Sequence, residues 1–215
     1  MIAPGVFGKL PSQGDFLLRG LPASFADPWH AWLVRGLATA REALAARFEP
    51  AYMAAPVWRF ALPPAACGPD PAAGVMLPSV DAAGRLFPLT IAAIGVAFGP
   101  AEATAAALPW FEALEQAGRD ALAGDPNTDA WMAGVAALAP PPSPAPLNCA
   151  HVPRSSEGAL QPAVLPVLAA FGAAHAVLLW CEGSPFVRAC ALVAPALPEG
   201  ACFVRLLSDP AEAAQ

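Results

Sequence analysis

The hydrophobic pattern of the first twenty residues predicts a β-hairpin. VFGKL at residues 6–10 and DFLLR at residues 15–19 are short segments with strand character. Pro11 and Gly14 lie between them and supply the residue types that tight turns prefer. We therefore expect two strands that run antiparallel to each other.

An amphipathic helix is predicted after this hairpin. Asp27 is a favourable N-cap and Pro28 suits the first helical position, so we expect the helix to begin there. Pro50 is expected to end it. The apolar stripe recurs at spacings of three and four residues and consists of Trp29, Trp32, Leu33, Leu37, Ala40, Leu44 and Phe48.

Three further strands are predicted in the middle of the chain. They are VWRFAL at 57–62, GVMLPSV at 74–80 and RLFPLTIAAIGVAF at 85–98. Because proline cannot donate a hydrogen bond to a neighbouring strand, Pro78 and Pro88 should each lie at an edge, a bulge or a strand end.

The second half of the chain is predicted to contain two helices, a long loop and a second hairpin. Apolar periodicity indicates helices at about 101–123 and 128–138. The proline-rich segment APPPSPAP at 139–146 favours an extended chain, and irregular structure is expected to continue to about residue 160. Two short apolar segments, 176–181 and 187–193, flank a turn-like EGSP and predict the hairpin.

This order of elements predicts an α+β fold. Hairpin, helix, three strands, helices, loop and hairpin match neither strict βαβ alternation nor an all-β pattern. We expect a largely antiparallel, or mixed, central sheet with helices packed on it. The length of 215 residues favours one domain over residues 1–215.

Composition and charge narrow the possible functions. The chain is 57% hydrophobic and 13% charged, which is ample for a buried core. Its net charge is −6 and its arginines are scattered, so nucleic-acid binding is not expected. Residues 158–181 carry no charge and are long enough to span a bilayer. Prolines and a histidine interrupt them, so we expect a short helix and a buried strand there, with no membrane insertion. The N-terminus lacks a secretory signal pattern, which adds to the expectation of a cytoplasmic protein.

Nucleotide and metal motifs are absent from the sequence. Lys9 follows Gly8, but Ala3 and Leu10 stand where a P-loop requires glycine and a hydroxyl residue. Five cysteines form no CxxC pair, and we expect buried, reduced thiols. The three histidines are far apart in the sequence. We therefore predict neither a cofactor nor a metal.

Ser79 is the best candidate for a nucleophile. Asp81 lies two residues further on, so both side chains would share one face of a strand. A serine hydrolase or a phosphatase-like enzyme would also need His30 or His151 to come close in the fold. The alternative is that Ser79 and Asp81 shape a turn by binding backbone N–H groups.

The sparse charges of the N-terminal half form the main candidate site. Charged groups are costly to bury unpaired. These residues should therefore either pair with one another, fixing the hairpin against the central strands, or line a shared exposed patch. With the neighbouring Trp58 and Ser79, this partner-binding or structural cluster comprises Lys9, Asp15, Arg19, Trp58, Arg59, Ser79, Asp81 and Arg85.

Four segments, in this order, resemble the TagF/ImpM family of type VI secretion accessory proteins. They are GVFGKLPSQGDFLLRGLP, DPWHAWL, APVWRFALPP and GVMLPSVDAAGRLFPLTIA. The resemblance covers about residues 4–125 and is looser at LLWCEGS and LPEGACFVRLL. The family motif positions in this chain are Gly8, Lys9, Leu10, Pro11, Gly14, Asp15, Phe16, Trp58, Arg59, Phe60, Pro78, Ser79, Asp81, Gly84, Arg85, Phe87 and Pro88.

The resemblance implies a cytoplasmic, non-enzymatic regulator with a longin- or profilin-like fold. Members of this family act as post-translational repressors linked to a forkhead-associated-domain protein that promotes assembly of the secretion apparatus. The chain departs from the family at His30, where an acidic residue is usual. Two other hypotheses about function stay open at this point. One is an enzyme that uses Ser79 and Asp81, and the other is a membrane-proximal scaffold that uses residues 158–181. A homodimer is also compatible with the sequence.

Overall fold

One antiparallel sheet organises the part of the chain that the computed structural model describes, which is residues 2–97, 107–124, 127–141 and 176–209. The strand order is β2–β1–β5–β4–β3–β6–β7, and every neighbouring pair is antiparallel. The strands are β1 (Gly5–Gly8), β2 (Leu17–Arg19), β3 (Trp58–Leu62), β4 (Ala72–Leu77), β5 (Leu89–Ile94), β6 (Val177–Cys181) and β7 (Cys190–Ala194).

Helices pack on this sheet, which confirms the α+β prediction. Asn127 caps the helix Thr128–Ala137, because its side-chain oxygen accepts a hydrogen bond from the N–H of Ala130 at 3.0 Å. The specifically longin- or profilin-like arrangement stays a prediction. The helices are α1 (Ala23–Leu44), α2 (Phe48–Met53), α3 (Leu108–Ala123), α4 (Thr128–Ala137) and α5 (Ala201–Val204), with a short 3-10 turn (Ala45–Arg47) between α1 and α2.

The predicted ends of the first helix were wrong at both termini. The helix begins at Ala23, and Pro28 lies inside its second turn. It breaks at Ala45, whose φ of 47° is incompatible with a continuing helix. Pro50 does not end a helix, because it lies in the first turn of α2, where backbone N–H groups have no intrahelical partner.

The two faces of the sheet bury two separate cores. On one face, α1, α2 and α5 cover large side chains such as Trp58 and Phe60 of β3. On the other face, α3 and α4 cover aliphatic side chains such as Val75 and Ile91, together with Trp180. Along β3, Trp58, Phe60 and Leu62 face the first core and Ala61 faces the second, because successive side chains of a strand point to opposite faces of the sheet.

Prolines end the central strands, as the sequence predicted. Pro78 follows the last residue of β4, and Pro88 precedes the first residue of β5. The connection between them, residues 78–88, closes through a single bridge of Val80 with Leu86. This connection lies beside the loop that follows β1, and the two together form the candidate site.

Several predictions fall wholly or mainly outside the described residues. They concern most of the proline-rich loop at 139–160 and the segment that precedes β6. Within the residues that the structure describes, no helix is both long and apolar enough to cross a membrane. The single-domain assignment stays a prediction, although β6 and β7 join the sheet formed by the N-terminal strands.

Candidate functional site

A buried ion pair joins the loop after β1 to the connection between β4 and β5. The ammonium nitrogen of Lys9 lies 2.7 Å from Oδ2 of Asp81. The Lys9 side chain is 7% exposed and that of Asp81 is fully buried. Because an unpaired charge is costly to bury, each group depends on the other. The expected pairing of sparse charges is thus present here.

The carboxylate of Asp81 also organises its own turn. Its Oδ1 accepts hydrogen bonds from the backbone N–H groups of Ala83 and Arg85, both at 2.9 Å. Its Oδ2 accepts a further bond from Nε of Arg85 at 2.6 Å. The Lys9 hydrogen bond holds the pKa of Asp81 well below its usual range, and the bonds from Arg85 and Ala83 act in the same direction against the effect of burial. The turn-shaping role predicted for Asp81 is what the structure has.

Two backbone contacts hold the neighbouring turns together. The guanidinium of Arg85 donates to the carbonyl of Gly14 at 2.5 Å, and the N–H of Ala82 donates to the carbonyl of Gln13 at 2.9 Å. The side-chain amide of Gln13 donates a hydrogen bond to the hydroxyl of Thr128 on α4, at 2.9 Å. The loop after β1 is therefore fixed to both the sheet and a helix.

Ser79 is a structural residue in this arrangement. Its hydroxyl donates to the carbonyl of Lys9 at 2.7 Å. The hydroxyl of Tyr52 donates to the carbonyl of Ser79 at 2.8 Å and accepts from its N–H at 3.0 Å. Burial raises the pKa of Tyr52, so this hydroxyl stays protonated and can donate. Ser79 thus anchors the β1 loop, and its geometry gives no support to a nucleophilic role.

Gly8 is required by the close approach of β1 to the end of the β4–β5 connection. Its φ is 135°, and a Cβ at this position would lie only 2.0 Å from the carbonyl oxygen of Pro88. Any side chain would therefore force the two segments apart. The glycine before Lys9, which suggested a phosphate loop, is explained by this contact.

An aromatic cluster that we did not predict lies beside the ion pair. The ring of Phe16 is 4.8 Å from that of Phe87, 5.4 Å from that of His30 and 5.9 Å from that of Phe7. The Lys9 ammonium lies 5.0 Å from the centre of the Phe16 ring. His30 thus packs against Phe16. Phe7 and Phe16 lie on opposite strands of the predicted hairpin, and this placement is the sequence signal from which their contact could have been predicted.

The exposed residues around this unit lie on the edge strand β2, just before it and in the β4–β5 connection. Phe16 and Leu18 are 41% and 44% exposed, and Arg19 and Arg85 also face solvent. Asp15 is exposed and caps the N–H of Phe16 through its Oδ1 at 2.8 Å. We call this set, Asp15, Phe16, Leu18, Arg19 and Arg85, the β2 surface.

Arg59 and Trp58 do not belong to this site, which corrects the predicted shared cluster. Arg59 lies on β3, separated from β1 by two strands, and binds Glu115 at 3.0 Å and Glu182 at 2.8 Å. Arg119 binds Glu115 as well, at 2.6 Å. Trp58 points to the opposite face, where its indole N–H donates to the carbonyl of Leu206 at 2.9 Å. Alternation along β3 separates these two neighbours.

Metal ligands are not brought together in the described ranges, where no group of three or more histidine, cysteine, aspartate or glutamate side chains is placed to hold an ion. The buried carboxylate of the site, that of Asp81, instead pairs with Lys9 and Arg85. The arrangement can therefore fix loop geometry and present the β2 surface.

Comparison with known proteins places these features in a family. Residues 5–138 match the TagF N-terminal domain, described as type VI secretion system-associated. The crystal structure of PA0076 from Pseudomonas aeruginosa PAO1, at 2.05 Å resolution, is similar over 96% of this chain and 94% of that chain, with 32% identity and a TM-score of 0.77. No curated protein matches the chain. The match of residues 5–138 spans more than half of the sequence, and the chain therefore belongs to the TagF family of type VI secretion system-associated proteins.

Proposed function

We propose that this chain is a non-enzymatic, cytoplasmic accessory protein that represses type VI secretion after translation. It does so by binding a forkhead-associated-domain assembly factor and keeping it from the secretion apparatus. The observation that carries the proposal is the match of residues 5–138 to the TagF N-terminal domain. That range contains the whole unit built around Lys9 and Asp81.

The side-chain geometry favours binding over catalysis. Lys9, Ser79 and Asp81 are buried, and the polar atoms that catalysis would need already bind other protein groups. A nucleophile or general base must be able to reach a substrate. These residues instead hold two turns rigid, which reduces the entropy lost when a partner binds to them.

The β2 surface is our candidate for the partner contact. It combines an aromatic ring, an aliphatic side chain, two arginines and one acid, on the edge strand β2 and in the turns next to it. Aromatic residues and arginines are enriched at protein interfaces and often dominate their affinity. Of the predicted site residues, Asp15, Arg19 and Arg85 can contact a partner directly, and the buried Lys9, Ser79 and Asp81 hold the turns that carry them.

The test is co-purification of the chain with the forkhead-associated-domain protein of the same secretion system. The informative variant is Leu18→Asp, because Leu18 is exposed and a buried carboxylate at an interface is costly. We expect the parent chain to retain the partner and Leu18→Asp to lose about tenfold or more in affinity, as an interface residue at a hot spot does.

Val34→Asp is the matched control. Val34 is 48% exposed on α1, so the substitution has the same chemistry at a similar exposure outside the β2 surface. It should bind like the parent. Equal loss in both variants, or none in Leu18→Asp, would move the contact elsewhere. A parent chain that never retains the partner would overturn the proposed function itself.

A further inference from the structure

Two cysteines face each other across the β6–β7 hairpin, at the opposite edge of the sheet from β2. Cys181 is the last residue of β6 and Cys190 the first of β7, and they are direct register partners. Opposed residues of antiparallel strands have Cα atoms about 4.5 or 5.5 Å apart. Both spacings lie within the range of about 4.4–6.8 Å that disulfides span. Register partners such as these are therefore at a Cα separation that a cross-strand disulfide can span.

Both thiols lie on the face of the sheet that α1 and α5 cover. Cys181 is 1% exposed and belongs to that core, whereas Cys190 packs against it and is partly exposed. Both cysteines are free thiols. Cys190 is therefore the more accessible residue of the pair, and Cys181 is the shielded one.

The hairpin is held in this register before any covalent bond forms. Within its turn, Ser184 and Val187 exchange backbone hydrogen bonds of 2.7 and 3.3 Å. The backbone N–H and the Nε of Arg188 both donate to Oδ2 of Asp209, at 3.0 and 2.9 Å. The residues that follow α5 thus clamp the turn from outside, and the two thiols remain opposed.

The two thiols interact with each other in the reduced protein. A hydrogen bond from Cys190 lowers the pKa of the Cys181 thiol, with help from the N–H groups of Gly183 and Cys190 and against the effects of burial and of Asp209. The same contact raises the pKa of Cys190, as do burial, the charge on Cys181 and Asp209, whereas Arg188 lowers it. The pair therefore loses its first proton more readily than a buried, isolated thiol would.

We propose that Cys181 and Cys190 form a peroxide-reactive dithiol that closes into an intramolecular disulfide. The thiolate attacks one oxygen of a hydroperoxide, the O–O bond breaks, and a sulfenic acid and hydroxide form. The second thiol then attacks the sulfenic sulfur, the S–S bond forms, and water leaves. Both thiols are oxidised and one hydrogen peroxide is reduced to two waters. This site does not depend on the proposed function.

The remaining described cysteines provide an internal comparison. Cys67 is buried, donates to the carbonyl of Phe25 at 3.7 Å, and has its pKa raised to about 12 by burial. Cys202 is exposed on α5. Thiolate content and a resolving partner control this chemistry, so neither should match the rate of the pair.

Trypsin separates the relevant thiols, which makes the test direct. Cleavage at arginine places Cys181 in residues 155–188, Cys190 in 189–205, Cys67 in 60–85 and Cys149 in 120–154. The Cys202→Ser background leaves one thiol in each of these peptides. The reduced chain is treated with one equivalent of hydrogen peroxide, alkylated, digested without reductant and analysed by mass spectrometry, with the intact mass reporting the monomer.

We expect peptides 155–188 and 189–205 to appear joined, in a monomer lighter by two hydrogens. The joined species should form about tenfold faster than oxidised Cys67. Cys190→Ser in the same background should abolish it and leave Cys181 as a thiol or sulfenic acid. Recovery of both peptides alkylated, or joining only between two molecules, would overturn the proposal. If a serine variant fails to fold, the parent chain is analysed in the same way, and fragmentation of the joined peptides distinguishes Cys190 from Cys202 within residues 189–205.

Discussion

Lys9 and Arg59 are both buried cations of the same sheet, but their surroundings differ. Lys9 has one carboxylate partner, Asp81, whose side chain is fully buried. Arg59 is shared between Glu115, which is 14% exposed, and Glu182, which is 64% exposed. The Lys9–Asp81 pair lies within two packed turns, whereas the ion pairs of Arg59 extend from the sheet to a carboxylate that contacts solvent.

This difference determines what happens when a partner is lost. Without Asp81, the Lys9 ammonium has no other carboxylate among its described contacts, and two backbone N–H groups lose their acceptor. Without Arg59, Glu115 keeps its bond to Arg119, and Glu182 is already in contact with water. Burial of the cation alone is therefore a poor guide to its energetic importance.

The largest effect is expected from Asp81→Ala. It leaves a buried ammonium unpaired and removes the acceptor that shapes the turn before Arg85. We expect the melting temperature at neutral pH to fall by roughly 10 °C. Thermal unfolding followed by circular dichroism measures it. Asp15→Ala is the matched control, since Asp15 is exposed and caps only one N–H, and an equal fall in both variants would contradict a special role for the buried pair.

The dependence of stability on pH separates the contribution of the Asp81 charge from the other effects of removing its side chain. Because the pKa of Asp81 is lower in the folded chain than in the unfolded one, its ionised form stabilises the fold at pH values above about 4, and this contribution is lost as the pH falls further. The parent should therefore lose more stability than Asp81→Ala between about pH 5 and 3. Parallel curves would mean that the Asp81 charge contributes nothing.

Arg59→Met should have a smaller effect than Asp81→Ala. The methionine keeps an apolar stem of similar length in the core, and Glu115 retains Arg119. We expect a loss of about 2 kcal/mol in the free energy of unfolding, measured in urea. Arg35→Met is the control, because Arg35 and its partner Glu199 are both exposed and should contribute little. A loss from Arg59→Met as small as that control would mean that the buried bonds contribute nothing.

The two ion-pair sites also show which contacts a sequence can predict. Asp81 and Arg85 are four residues apart in one turn, and the cost of burying charges led to the expectation that Lys9 would pair within the same cluster. Glu115 and Glu182 are 56 and 123 residues from Arg59, on elements whose packing the local pattern does not specify. The strand that carries Arg59 was therefore predicted correctly, whereas its ion-pair partners were not.

The same limit applies to the fold. Period-two patterns and turn residues predicted both hairpins and the three central strands, because these signals are local. The C-terminal end of α1 was predicted wrongly because the helix breaks at Ala45 in a positive-φ conformation. Alanine rarely adopts this conformation, so its presence in the sequence does not indicate a break. The predicted second hairpin turned at residues 182–185, which would set Cys181 opposite residue 186 or 187, so its register did not predict the pairing with Cys190 that the structure has. The exposure of Cys202 contradicts the expectation of buried thiols.

The smallest effect is expected from Glu182→Gln, which tests whether the Arg59 site is open. Glu182 is 64% exposed, and exposed ion pairs contribute about 0–1 kcal/mol. The variant alone should lose no more than that in urea unfolding. In the Arg59→Met background it should lose nothing further, because the bond that it removes is already absent. A loss from Glu182→Gln that equals the loss from Arg59→Met would show that Glu182 holds the buried cation as tightly as Asp81 holds Lys9, and the contrast between the two sites would then disappear.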